Sequence, residues 1–161
     1  MIIDFLLDLF EKNKTNEAII WKDKKYNYKW LLDRYNYWLN EIYLQKIPRG
    51  SVVVVEADFS PNSISLLLAL INHCCIFVPI TKSVFNKRDD FIKIAEGEFL
   101  FKIDKNDEIN ISNLQNKAKN SLYNKLRKNQ SPGLVLFSSG STGASKASVL
   151  DMTQIIEKFK L

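Results

Sequence analysis

The 161-residue sequence predicts an α/β fold, a largely parallel, layered βαβ unit, from three observations. The run Ser51-Val-Val-Val-Val-Glu-Ala57 is β-branched and continuous instead of alternating, as strands covered on both faces are. An apolar helix and a second strand, Cys75 to Ile80, follow it directly, and two such strands joined by one helix lie parallel with a right-handed crossover. A weaker helix and strand, Arg88–Ala95 and Glu98–Ile103, then repeat the pattern.

The elements follow in order. Ile2, Ile3, Phe5, Leu6, Leu9 and Phe10 fall on one helical face, with Asp4, Asp8 and Glu11 opposite. Ala18–Trp21 and Tyr26–Tyr28 read as two short strands around the polar turn Lys22–Lys25. Trp30, Leu31, Arg34, Tyr35, Trp38, Leu39 and Ile42 keep helical spacing up to Pro48-Arg-Gly50, and aromatic residues so spaced belong to a core. After the strand at Ser51–Ala57, Ser60 is the expected N-cap and Pro61 the first helical residue. The helix that begins there is apolar nearly all round and closes at Asn72-His73. Residues 104–110 read as a polar turn, and Leu114, Ala118, Leu122 and Leu126 as the stripe of a surface helix over 114–126. Asn129–Gly133 breaks that helix and leads to a short buried strand, Leu134–Phe137. A last helix is expected over 154–161. No internal repeat and no interdomain linker interrupts the chain.

Composition bounds the function. At 46% hydrophobic and 25% charged, the chain has the make-up of a folded domain with one sizeable core. Its 23 basic and 18 acidic residues give +5, but the lysines are scattered and form no basic stripe with interleaved aromatics. A nucleic-acid partner is therefore not expected. Cys74 and Cys75, the two cysteines, are adjacent in an apolar run; they read as small buried residues of a reducing compartment. The first ten residues carry Asp4 and Asp8 and no positive n-region, unlike a secretory signal. The apolar run 64–80 is broken by Ser65, Asn72, His73 and Pro79, so no membrane span is expected, and the chain is placed in the cytoplasm. His73, the single histidine, sits where a helix ends and suits a capping role; it has no second ligand for a metal and no nucleophile to serve.

The chemistry is concentrated after the strand Leu134–Phe137. Ser138, Ser139, Gly140, Ser141, Thr142 and Gly143 are six consecutive small or hydroxylated residues, and Lys146 follows. Exposed N–H groups of such a loop, with its hydroxyls and a lysine at the far lip, suit a polyphosphate. It is not a Walker loop, because Ser145 and Ala147 occupy the Gly and Ser/Thr positions around Lys146. Nor is it the G-x-G-x-x-G fingerprint, which needs a third glycine.

The loop Ser138-Ser-Gly-Ser-Thr-Gly-Ala-Ser-Lys146 resembles the phosphate-binding loop [ST]SG[ST]TGxPKG of the adenylate-forming (AMP-binding) superfamily: acyl-CoA synthetases, peptide-synthetase adenylation domains and luciferases. Tyr26-Asn-Tyr28 with Trp30-Leu31-Leu32, Pro48-Arg-Gly50 with Ser51–Val55, and Leu67–Leu70 through Val78-Pro79 resemble upstream parts of that family in the same order. The resemblance implies that residues 1–161 are a partial AMP-binding N-terminal domain ending just after the loop. It implies an ATP site at Ser138, Ser139, Gly140, Ser141, Thr142, Gly143 and Lys146, with Mg2+ accompanying the nucleotide. It also implies a ligase activity that activates a carboxylic acid as an acyl-adenylate, releasing pyrophosphate. Ser145 and Ala147 depart from the family's Pro and Gly, and Val149–Met152 lacks the histidine often found there. The family's adenine and acid pocket, ribose-binding aspartate, metal-binding glutamate and C-terminal catalytic lysine have no counterpart. No catalytic residue is therefore assigned, and the chain alone is expected to be incompetent. Two other readings stand beside this one: a non-catalytic phosphate- or nucleotide-binding module, or one half of a split enzyme completed by a partner chain. A plain doubly wound domain whose Ser/Gly loop is only a turn is the third. The acid and the acyl acceptor are not legible in these residues.

Overall fold

The computed structural model describes residues 2–139 and 145–160. Its first helix, α1 (Asp4–Lys12), leads to the hairpin β1 (Glu17–Trp21) and β2 (Lys24–Asn27). Lys22 and Asp23, both with positive φ, make the two-residue turn that matches strand twist. Helix α2 (Tyr28–Leu44) starts where the Asn27 side chain accepts the Trp30 N–H, and buries Leu31, Tyr35, Trp38 and Ile42.

The strand β3 (Val52–Glu56) is buried along its whole length, as its unbroken valines require. Helix α3 (Pro61–Asn72) begins with a full capping box, in which Ser60 and Ser63 each accept the other's backbone N–H, and with proline in its first turn. His73 caps its far end; a ring nitrogen of His73 lies 2.8 Å from the Ile47 carbonyl. Strand β4 (Ile76–Ile80) pairs parallel to β3. A 3-10 turn (Lys82–Lys87) and α4 (Arg88–Ile94) lead to β5 (Phe99–Ile103), parallel to β3 on its other side.

Three differences from the sequence reading follow. The expected polar turn after β5 is short, and Ile109–Asn113 form β6, an antiparallel edge strand whose isoleucines fall on one face. The expected helix over 114–126 begins only at Ser121, as α5 (Ser121–Asn129). The residues before it are held out of helix by carboxylates. Glu98 accepts the Ala118 N–H at 3.0 Å, Glu96 accepts those of Lys119 and Asn120, and Asn120 then caps α5 through the Leu122 N–H. Finally, β7 (Gly133–Ser139) is followed by β8 (Ser145–Asp151), antiparallel to it, before α6 (Met152–Glu157), capped by Asp151. The exposed, non-alternating residues of β8 gave no strand signal.

Among the described residues the main sheet has the order β6-β5-β3-β4-β7-β8, with a parallel centre and antiparallel edges. The expected α/β class with a largely parallel sheet is observed. Two cores lie on its opposite faces. Val53, Val55 and Phe101 pack with Trp38 and Ile42 of α2 and Leu66 and Leu70 of α3. Val52, Val54 and Leu100 pack with Phe91 of α4 and Tyr123 and Leu126 of α5.

Candidate functional site

The parallel strands point their carboxyl ends to one side, and two features lie there. The first is the β7–β8 hairpin. Ser138 stands opposite Lys146 and Ser139 opposite Ser145, so these residues form the two lips from which the intervening loop departs. Residues facing each other across a ladder project to the same side, so the Ser138 and Lys146 side chains leave the hairpin on one face. Both side chains are exposed. Gly140, Ser141, Thr142 and Gly143, also assigned to the phosphate site from sequence, lie outside the described residues.

The second feature joins the ends of β3, β4 and β5. The chain leaves β3 toward the α3 face and leaves β4 toward the α4 face, and a crevice opens where adjacent strands send their connections apart. Glu56, 7% exposed, receives Arg88 at 2.6 Å and Lys102 at 3.2 Å. Asp58 pairs with Lys82 at 3.2 Å. Asp104 accepts the N–H groups of Glu108 and Asn106, which hold its carboxyl below the usual range. The Glu56 hydrogen bond strengthens the hold of Arg88 on its proton. A cavity of about 410 Å³ lies among Glu56, Asp58, Lys82, Phe85, Lys102 and Lys105. Its cations and acids are mostly matched to each other, so it lacks the excess charge that would select a free polyanion. Sequence reasoning did not find this cluster, because its members come from four separate elements. The one signal was position: Glu56, Asp58, Lys82, Lys102 and Asp104 lie at or just beyond the carboxyl end of a strand, and Arg88 joins them from the start of α4.

Between the two features, on the α3 face, an apolar cavity of about 230 Å³ is lined by Ile64, Leu67, Phe77, Pro79, Leu136 and Met152. Cys75 is buried among apolar groups, which push its thiol up and leave it unreactive, and Cys74 accepts a hydrogen bond from Arg49 at 2.9 Å. Among the described residues, no three His, Cys, Asp or Glu side chains converge on a metal position, and no helix is long and apolar enough to cross a membrane.

No family model matches the chain, and no curated protein sequence matches it. Solved structures do. The Klebsiella oxytoca NpsA N-terminal subdomain, solved with 3-hydroxybenzoyl-AMSN, matches with a TM-score of 0.66 at 18% identity, over 91% of this chain and 40% of that one. VinN in complex with L-aspartate matches at 0.70 and 16%, over 97% and 49%. Apo MatB from Rhodopseudomonas palustris matches at 0.69 and 16%, over 93% and 34%. This chain thus spans less than half the length of each. NpsA also occurs among the matches as half of an artificially fused adenylation–PCP di-domain. With these likenesses over nearly its whole length, the chain has the fold of the NpsA N-terminal subdomain and of the matching parts of VinN and MatB.

Proposed function

We propose that the chain is the nucleotide-gripping N-terminal part of an adenylate-forming ligase, with residues 1–161 as a partial AMP-binding domain. The carrying observation is a coincidence of sequence and place: the serine- and glycine-rich loop sits between the lips of a hairpin at the carboxyl side of the sheet, in a fold shared with adenylation domains. In this reading Ser138 to Gly143 wrap the β- and γ-phosphates of ATP, and the Lys146 ammonium offsets the charge that gathers on pyrophosphate. A carboxylate attacks the α-phosphorus, the bond to the bridging oxygen breaks, and pyrophosphate leaves. Positioning and charge neutralisation supply most of the acceleration in such a displacement. Mg2+ is expected to accompany ATP, and no residue among those described is assigned to it.

The chain alone carries no group assigned to the base, the ribose or the acid, so it is expected to bind ATP weakly and not to turn over. Titration calorimetry tests the first part. Lys146→Ala should weaken ATP binding roughly 10- to 100-fold, the worth of one charge-assisted contact. Unchanged binding, or none in the parent chain, refutes the reading. Carboxylate-dependent pyrophosphate exchange by the purified chain would refute its incompetence.

One observation favours the split-enzyme reading as second choice. The apolar cavity beside Leu136, with Phe59 81% exposed near it, is the kind of surface a further protein segment covers. In that reading the complementary segment supplies the acid and ribose contacts, and its addition in trans should restore pyrophosphate exchange.

A further inference from the structure

Strand β7 parts from β4 almost at once. The two pair only through Ile76–Gly133 and Phe77–Leu134, although β4 runs on to Ile80 and β7 to Ser139. The donor pattern gives the cause. Gly133 donates its N–H to the Cys75 carbonyl. Parallel pairing repeats every two residues, so the Val135 carbonyl would next take the N–H of residue 79. Residue 79 is proline and has none. On its other side β4 loses nothing, because Pro79 stays in register with Val55.

Beyond that break, among the described residues, Val135–Ser139 pair with β8 alone, in an unslipped register that ends at Ser139–Ser145. A fully paired hairpin anchored at one end is a stiff lever. Its two faces are held unequally. On the α4 side Phe137 stacks on Phe91, with ring centroids 3.9 Å apart and planes 3° from parallel. On the α3 side Leu136 is 43% exposed above the apolar cavity, whose walls include Phe77, Pro79 and Met152. There is room on one side and one aromatic contact near the tip on the other.

We propose that the β7–β8 hairpin is a hinged arm. Pro79 makes the hinge, and the Phe91–Phe137 stack is the latch that fixes where the lip residues Ser138 and Lys146 stand. Phe91 and Phe137 are positioning residues, acting through the arm and not through contact with a ligand. What the arm does for chemistry rests on the nucleotide reading above: releasing the latch swings the Lys146 ammonium relative to the phosphates, so a tight grip and product release become two positions of one lever.

Hydrogen–deuterium exchange on the whole chain tests the hinge without nucleotide. Phe91→Ala should speed exchange at the hairpin's paired amides 136, 138, 146 and 148 about fivefold, the worth of an aromatic pair, with β3 and β5 unchanged. Phe91→Leu, which keeps apolar contact, should give a smaller rise. Pro79→Val restores the donor and should slow the same amides about fivefold. Uniform acceleration through all strands, or hairpin amides indifferent to these changes, overturns the proposal. If Phe91→Ala does not fold, the opposite signs expected of Phe91→Leu and Pro79→Val decide it. ATP titration of the same proteins separates the two ideas. Expected exchange with no ATP binding removes the nucleotide reading and keeps the hinge; indifferent exchange with ATP binding does the reverse.

Discussion

Glu98 ties β3, the segment 114–120 and α5 together. One carboxylate oxygen accepts the Val52 N–H at 2.7 Å and receives Arg127 at 3.3 Å; the other accepts the Ala118 N–H at 3.0 Å. Val52 and Ala118 are buried, at 0% and 2% exposure, so neither amide can turn to water if the carboxylate is removed. Arg127 keeps its bonds to the Gly50 and Ala118 carbonyls, and its charge is partly exposed. Glu98→Ala therefore strands two buried N–H groups, each costing about 1–3 kcal/mol. The sum, about 4 kcal/mol, is a large share of the roughly 5–15 kcal/mol that holds a domain of this kind. Urea denaturation followed by tryptophan fluorescence should show a midpoint lower by about 2 M at an m-value of about 2 kcal/mol/M. Glu96→Ala, which frees the exposed Lys119 amide and that of half-buried Asn120, should cost markedly less. A Glu98→Ala loss below about 1 kcal/mol would refute the claim that this carboxylate holds residues 114–120 in place.

Other substitutions test other joints. At Gly133 a Cβ would lie 2.6 Å from Leu126 Cδ1 and 3.1 Å from Ile76 Cγ2, so Gly133→Ala should destabilise by about 1–3 kcal/mol through overpacking, read by thermal unfolding. Burial, with Glu96 nearby, pushes the Tyr123 hydroxyl up to about 12, while its O–H donates to the Ala95 carbonyl. Its folded pKa lies above its unfolded one, so that stability is fully present below pH ~10 and falls as pH rises toward 12, by up to about 2–3 kcal/mol; Tyr123→Phe should flatten this alkaline limb in urea melts. Arg88→Met removes the shorter of the two partners of buried Glu56 and should cost about 2 kcal/mol, less than a full uncompensated charge because Lys102 remains; equal stability of variant and parent would refute this.

The parts of the fold legible in the sequence were those where one force acts alone. Val52 to Val55 are buried on both faces, and an unbroken β-branched run reports just that. Ser60 and Pro61 announce a helix start by local chemistry, and the capping box forms there. What was not legible depends on distant partners. Nothing within 114–120 says that Glu96 and Glu98 will take its amides, and apolar residues at four-residue spacing mimic a helix. Strand β8 is an edge strand with mostly exposed residues, so no buried face imposes alternation; its partner β7 defines it. The same division runs through the site. The lips Ser138 and Lys146 are contiguous with a recognisable motif, whereas the Glu56–Arg88–Lys102 cluster exists only after the ends of β3 and β5 and the start of α4 are brought together.

Strand β3 is a wall shared by two rooms. Val53 and Val55 face the α2–α3 layer, while Val52 and Val54 face α4 and α5. Residues adjacent in sequence thus belong to separate packing clusters among the described residues, and sequence drift on one side need not be answered on the other. The layer that carries the Phe91 latch can be retuned without disturbing the layer that positions α3. A paired series, Val54→Ala against Val55→Ala, would read the two rooms separately, because each opens a void in only one of them.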